Sequence, residues 1–291
     1  SLITFIMGGT IVLQTKWDPE EFLELVDRHK VTSTHVVPTQ LSALLQTSEA
    51  FTRDLDLSSL RTLICGAAPL SPRIKLAVLD RFGPILHEYY GSTETGVNTL
   101  ISPEEIRLRP NSVGKAFADN DLKIIDENGN EVPAGERGVL YIYNAIMMEG
   151  YYKNDKATQE IRLGKYITVG DVAICDDDGY YYIVDRIKDM IIRGGVNIYP
   201  AEVEGVLNEM PDIKDAAVVG KPDPHWGELV AAFVVVQEGR NVTAEVIKEF
   251  CGQRMANHKI PEIIMFLNEI PRTPTGKILK KDLRESLVAG M

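Results

Sequence analysis

In the first half of the chain short apolar runs alternate with amphipathic stretches, and this rhythm confines it to layered folds in which helices cover a sheet. Residues 31–37, 60–65 and 85–90 read as strands, the last running straight into a Gly/Ser/Thr segment. The helices between them are signposted. Asp18-Pro19-Glu20-Glu21 supplies an N-cap, a proline for the first helical position and an acid for the third, and Phe22, Leu25 and Val26 follow on one face. Ser71-Pro72 opens another helix, with Ile74, Ala77 and Val78 as its apolar stripe. The opening run, residues 2–13, reads as strand-like. It is broken by Gly8-Gly9 and is shorter than the roughly 20 residues a membrane helix needs, so no span is expected.

From 112 to 186 the pattern changes to short strands separated by Asn128-Gly129, Pro133-Ala134-Gly135 and Asp178-Gly179, which predicts antiparallel sheet or a small barrel. Beyond Arg186 the rhythm changes again. A helix from about Ala201 (Val203, Val206, Leu207, Met210), strands at 216–219 and 229–236 and a helix after Thr243 predict a small α+β domain. The charged junction Asp185-Arg186-Ile187-Lys188-Asp189 leads to Gly194-Gly195 and suits a hinge. At roughly 150 residues per domain, 291 residues correspond to about two domains, and 44% hydrophobic with 25% charged residues is the composition of a folded, soluble core.

With 31 basic and 42 acidic residues the net charge is −11, so the surface as a whole repels nucleic acid and anionic lipid. A small nucleotide stays compatible, because local amides, lysines and metal ions hold a phosphate. Cys65, Cys175 and Cys251 are too scattered for disulfides or zinc, which indicates a reducing, cytoplasmic setting. Several pieces only look like chemistry. His87-Glu88 has Gly91 where a zinc helix needs its second histidine, and Asp176-Asp177-Asp178-Gly179 lacks the closing Glu of a calcium loop. Asn241-Val242-Thr243 is more simply a helix cap, and Gly276-Lys277 lacks the rest of a Walker loop.

Three other segments carry chemistry. Tyr90-Gly91-Ser92-Thr93-Glu94-Thr95-Gly96 sets two glycines, three hydroxyls and a carboxylate directly after a strand. Phosphate wants such a loop, and Glu94 can hold the Mg²⁺ that accompanies a nucleotide, although an ordinary turn fits the same residues. Thr168-Val169-Gly170-Asp171 offers a carboxylate to paired ribose hydroxyls, and Arg186 adds a cation; a turn and a surface salt bridge are the plain alternatives. In Pro271-Arg272-Thr273-Pro274-Thr275-Gly276-Lys277, prolines stiffen a loop and a glycine frees it just before a lysine able to neutralise charge at phosphorus.

Taken in order, these segments resemble the adenylate-forming superfamily of acyl-CoA synthetases, aryl-CoA ligases, carrier-protein adenylation domains and luciferases. The match adds Gly66-Ala67-Ala68-Pro69-Leu70, Gly150-Tyr151-Tyr152, Gly179-Tyr180 and Gly194-Gly195-Val196-Asn197-Ile198-Tyr199-Pro200 with Glu202 and Glu204. The resemblance implies the carboxy-terminal part of a large α/β domain with a small β-barrel subdomain (1–187, α/β layers to about 111, barrel-like from about 112), then a small mobile α+β lid domain (188–291). It implies that Gly66, Ala67, Ala68 and Pro69 flank adenine and Tyr90 stacks near it. Gly91 and Ser92 belong to the phosphate loop, with Thr93 on phosphate and Glu94 on the metal. Asp171 would hold the ribose with Arg186 assisting, Lys188 would be the hinge, Gly194 and Gly195 would line a thiol tunnel, and Lys277 would serve adenylation.

The expected activity is ATP- and Mg²⁺-dependent activation of a fatty or aryl carboxylic acid to acyl-AMP, then transfer to coenzyme A. Trp17-Asp18-Pro19-Glu20-Glu21-Phe22-Leu23 and Val37-Pro38-Thr39 favour the CoA ligase branch. A carrier-protein acceptor is the runner-up, and a catalytically incomplete nucleotide-binding or interaction fragment is the alternative of another class. The chain opens at Ser1 in apolar sequence, and the family's Ser/Thr/Gly-rich phosphate loop has no counterpart in it, so a piece of a larger domain is expected. The oligomeric state, homodimer included, is left open.

Overall fold

The computed structural model describes residues 2–273 and 276–288. They form two compact units that divide after Ala118. The first contains α1 (Leu2–Ile6), α2 (Pro19–His29), β1 (Ser33–Val36), α3 (Pro38–Gln46), α4 (Glu49–Thr52), β2 (Thr62–Cys65), α5 (Pro72–Phe82), β3 (Leu86–Ser92), β4 (Gly96–Ile101), α6 (Pro103–Leu108) and β5 (Lys115–Ala116). Its sheet has the order β1-β2-β3-β4-β5, parallel through β3 and antiparallel thereafter. Val36, Cys65 and Glu88 lie in one row, so the three parallel strands end close together.

Helices α2, α3 and α5 bury Leu23, Val26, Leu41, Leu44, Val78 and Leu79 against Val36, Leu63, Cys65 and Leu86. Local chemistry starts them as expected. Asp18 Oδ1 accepts from the amides of Glu20 and Glu21 at 3.0 and 2.9 Å, and Ser71 Oγ accepts from Ile74 N at 3.4 Å. The opening residues correct the strand-like reading: 2–6 are helical and the chain then breaks at Gly8, whose φ is 72°. A short apolar run carries no period that separates helix from strand.

The inward face of α5 also differs from the apolar stripe. Lys75, 2% exposed, pairs with Glu88 of β3 and donates to the Ser112 carbonyl oxygen at 2.9 Å, whereas Ile74 and Ala77 lie at the margin. Burial raises the Glu88 carboxyl to about 7, with Lys75 pulling it back.

The second unit opens with β6 (Asp121–Ile125), β7 (Arg137–Tyr143), α7 (Asp155–Glu160), β8 (Arg162–Leu163), β9 (Tyr166–Ile167), β10 (Asp171–Cys175) and β11 (Tyr181–Arg186). These strands form a six-stranded sheet in the order β11-β10-β7-β9-β8, with β6 on the other side of β7. No ladder among the described residues joins β6 to β11, so the antiparallel region is an open sheet rather than a closed barrel.

A 3₁₀ turn, Ile187–Asp189, leads to β12 (Ile191–Arg193), β13 (Val196–Ile198), α8 (Pro200–Asn208), β14 (Ile213–Asp223), β15 (Gly227–Val236), α9 (Ala244–Gly252), β16 (Ile263–Phe266) and α10 (Lys280–Val288). The expected junction at 187/188 falls on this turn, inside the second unit. The last sheet runs β13-β12-β15-β14, with β16 parallel to β15. Val203, Leu207, Ile247 and Cys251 pack on one face, and Leu283 packs with Ala217, Val219, Ala231 and Phe233 on the other. Burial on both faces explains why 216–219 and 229–236 are continuous apolar runs without alternation.

The Lys75–Glu88 pair yields a stability prediction. Lys75→Met leaves a buried carboxylate without its partner and costs about 3–5 kcal/mol, while Lys75→Met/Glu88→Gln recovers most of that. Because the folded Glu88 value of about 7 lies above the ordinary 4.5, its contribution to stability is complete below the lower value and fades as pH rises through the upper one. Urea unfolding at about pH 5 and pH 8 checks both: the double variant loses that decline, and equal destabilisation of single and double variants refutes the pairing.

Candidate functional site

In sheets of parallel strands, ligands bind beyond the carboxyl ends. In the first unit that edge holds two of the segments singled out in the sequence. Immediately after β2 the chain enters Gly66-Ala67-Ala68-Pro69. Gly66 is buried, and a Cβ there would lie 2.3 Å from Tyr89 Cε1, so the ring requires glycine. Ala67 adopts φ 71°, a left-handed conformation that is strained for alanine and turns the segment outward; Ala67 and Pro69 are exposed.

Beside it, β3 extends two residues past the expected end at 90, so that Tyr90, Gly91 and Ser92 are strand residues and only Thr93, Glu94 and Thr95 form the turn into β4. The ladder slips between Tyr90 and Gly91, and a Cβ on Gly91 would lie 2.1 Å from the Gly96 carbonyl oxygen. The hairpin therefore closes only around glycine.

Inside the turn, Ser92 Oγ and Thr95 Oγ1 share a hydrogen bond of 2.9 Å, Thr95 N donates to Ser92 Oγ at 3.2 Å, and Asn98 Nδ2 donates to Thr95 Oγ1 at 2.8 Å. Thr95 and Asn98 are completely buried. These hydroxyls brace the turn from within, and the exposed Thr93 is presented at its tip. The bracing role of Asn98 is absent from the sequence reading, where its one signal is an amide in the middle of an apolar strand pattern.

In the second unit, Asp171 begins β10 and Arg186 ends β11, and the ladder sets them directly opposite each other. Arg186 Nε donates to Asp171 Oδ1 at 3.0 Å and Nη2 donates to the Val169 carbonyl oxygen at 3.2 Å. Gly170, at φ 81°, bends the chain just ahead of the carboxylate. Asp185 instead accepts from the amides of Arg186 and Ala201, both at 2.7 Å, and so ties β11 to the start of α8; burial pushes its carboxyl up.

Lys188 is exposed on the 3₁₀ turn, where Arg284 donates to Asp189 Oδ1 at 2.7 Å. Gly194 and Gly195, at φ 56° and 79°, form the two-residue turn between β12 and β13, and Gly194 N donates to the Trp226 carbonyl oxygen at 2.7 Å. Lys277 is exposed, and its amide donates to Thr273 Oγ1 at 3.1 Å. Arg272 holds this loop by donating to the Gly276 carbonyl oxygen at 2.8 Å and to both oxygens of Asp215 at 2.9 and 2.7 Å. Pro274 and Thr275 lie outside the described residues.

The structure thus sets Gly66 to Pro69 beside Tyr90 to Glu94 on adjacent strands and joins Asp171 to Arg186, while Lys188, Gly194-Gly195 and Lys277 occupy separate loops of the second unit. Among the described residues no three His, Cys, Asp or Glu side chains gather for a metal. The Glu94 carboxylate fits the ion expected there, since Mg²⁺ commonly takes one or two carboxylates, phosphate oxygens and water. No described helix is long and apolar enough to cross a membrane.

The AMP-binding enzyme family model matches residues 1–152, and the model for the AMP-binding enzyme C-terminal domain matches 202–277. A feruloyl-CoA synthase of Amycolatopsis sp is 38% identical over 97% of this chain and 57% of its own length. A medium/long-chain-fatty-acid–CoA ligase of Mycobacterium tuberculosis is 35% identical over 97% of this chain and 50% of its own. The chain thus spans about half the length of the curated relatives it matches. Among solved structures, the amide bond synthetase McbA from Marinactinospora thermotolerans superposes with a TM-score of 0.91 at 32% identity, covering 98% of this chain and 57% of that one. ATP-bound MatB from Rhodopseudomonas palustris gives 0.90 at 30%, over 98% and 56%. The chain belongs to the AMP-binding enzyme family of the adenylate-forming superfamily.

Proposed function

We propose that the protein carrying this chain activates a fatty or aryl carboxylic acid with ATP, forming acyl-AMP and pyrophosphate, and then transfers the acyl group to coenzyme A. The observation that carries this reading is the side-by-side placement of Gly66 to Pro69 and the Tyr90–Glu94 turn at the carboxyl ends of β2 and β3. The reaction needs no protein nucleophile, because the substrate carboxylate attacks the α-phosphorus; the protein's task is to align the reactants and stabilise charge.

In this reading the Gly66 segment and Tyr90 hold the adenine and Thr93 donates to phosphate. Glu94 would hold Mg²⁺, which would supply screening of the phosphate charge. Asp171, steered by Arg186, takes the ribose hydroxyls. Lys277 on its braced loop neutralises charge at the α-phosphate, and Gly194-Gly195 gives the pantetheine thiol a side-chain-free approach. An amine acceptor is the second reading, favoured by the structural likeness to an amide bond synthetase; thioester against amide formation from supplied acyl-AMP separates the two.

In the full-length protein, Lys277→Ala should lower ATP–pyrophosphate exchange by about 10²–10³-fold and thioester formation from supplied acyl-AMP by less than about tenfold. Equal losses in both half-reactions overturn the assigned role. Gly91→Ala should weaken ATP binding by more than about tenfold in calorimetry, because its Cβ forces the hairpin apart. Undiminished ATP affinity would remove the turn from the site.

A further inference from the structure

The loop that carries Lys277 has two arms. Residues 271–273 and 277–279 run antiparallel, with Leu279 N donating to the Pro271 carbonyl oxygen at 2.9 Å and Thr273 N to that of Lys277 at 2.8 Å. Arg272 ties the first arm to Asp215 of β14. The second arm runs directly into α10, whose first residue, Lys280, pairs with Glu204 of α8 at 2.9 Å, the two side chains being 14% and 15% exposed. Glu204 also accepts from Val218 N of β14 at 2.8 Å. Helix α8 is in turn fastened at its start to β11, because Asp185 accepts from Ala201 N, and one turn along α10 Arg284 donates to Asp189. Burial raises the Glu204 and Asp185 carboxyls and the Lys280 ammonium opposes that rise at both, so one cation faces carboxylates from two elements.

We propose that Lys280 is a positioning residue for adenylation: through Glu204 and α8 it sets the arm that carries Lys277 in register with β11, the strand whose Arg186 holds Asp171. This rests on the adenylation reading above and deepens it. Under that reading Asp171 takes the ribose hydroxyls and Lys277 acts at the α-phosphate joined to the same ribose, so the place of the lysine relative to the ribose clamp has to be fixed. A misplacement of about 1 Å can cost about 10²-fold in rate. The pair is poorly explained as a source of stability. Taking two charges out of water offsets most of their attraction, so a buried pair adds little over apolar side chains of similar size, yet it is satisfied in only one alignment of α8 and α10. The next residue gives the contrast: Lys281 is exposed and pairs with Glu285 of its own helix, which fixes no second element.

The test compares the two half-reactions in the full-length protein. Lys280→Met/Glu204→Gln removes both charges together, so no lone ion is left buried. It should lower acid-dependent ATP–pyrophosphate exchange by at least about tenfold, while thioester formation from supplied acyl-AMP stays within about threefold of the parent and the thermal unfolding midpoint within about 5 °C. Lys281→Met should leave both half-reactions unchanged. Should the double variant fail to fold, Lys280→Gln, which keeps a donor toward Glu204, reads the same split with a loss of at least about threefold in exchange. Exchange at the parent rate in a folded variant, or equal losses in both half-reactions, overturns the inference and leaves adenylation standing. A parent without acid-dependent exchange, or exchange indifferent to Lys277→Ala, overturns the adenylation reading itself.

Discussion

The parallel register of β1, β2 and β3 is the constraint on which the first unit depends. With Val36, Cys65 and Glu88 in one row, the three strands deliver their carboxyl ends to one edge, and the helices cover the face that this row shares. A slip of β3 by one residue would turn Glu88 away from Lys75 and drive Tyr89 toward the helices, because side chains alternate strictly along a strand. The buried ion pair is thus a register device. Its net contribution over a well-packed apolar pair is small, yet only one alignment of α5 and β3 satisfies both charges and the Ser112 carbonyl. Gly66, just past the end of the adjacent strand, fits the same alignment from the other face, since a Cβ there would collide with the Tyr89 ring.

Helix starts were legible from the sequence because capping is decided within four residues. Asp18, Ser71 and Thr243 each accept from the amides that the local pattern predicts. The doubly covered strands of the last sheet were legible because burial on both faces leaves an apolar run with no competing period. Properties set by distant partners were not. Lys75 faces the core, where hydropathy places no lysine, because its partner lies in another element. Strand spacing and turn dipeptides look the same whether or not the first and last strands of a sheet meet, so the sequence reads as barrel-like where the ladders leave the sheet open. The opening helix is not legible because five residues, four of them apolar, carry no resolvable period.

For the candidate site, the order and composition of the motifs were legible, but the division of labour inside them was not. Tyr90-Gly91-Ser92-Thr93-Glu94-Thr95-Gly96 shows hydroxyls at three positions, and only the fold shows that Ser92 and Thr95 bond to each other while Thr93 is exposed. Likewise Asp171 and Arg186 stand fifteen positions apart, and the β10–β11 ladder is what makes them partners.

The candidate residues sort physically into two kinds. Gly66, Tyr90, Asp171 and Arg186 sit in strands or at their ends, where ladder hydrogen bonds fix the backbone before any ligand arrives. Such positions suit recognition of a nucleotide whose shape does not change during reaction, since pre-organised groups give up little entropy on binding. Lys188, Gly194-Gly195 and Lys277 sit on turns, each held by a few polar contacts: Arg284 on Asp189, the Trp226 carbonyl on Gly194, and Arg272 on Asp215. Contacts of this kind, partly exposed and few in number, mark the segments that open at low free-energy cost. On the proposed reading, a reaction in two steps with different acceptors places that same demand on the groups that would serve only one step, whereas groups that would bind the shared adenylate gain from staying fixed throughout.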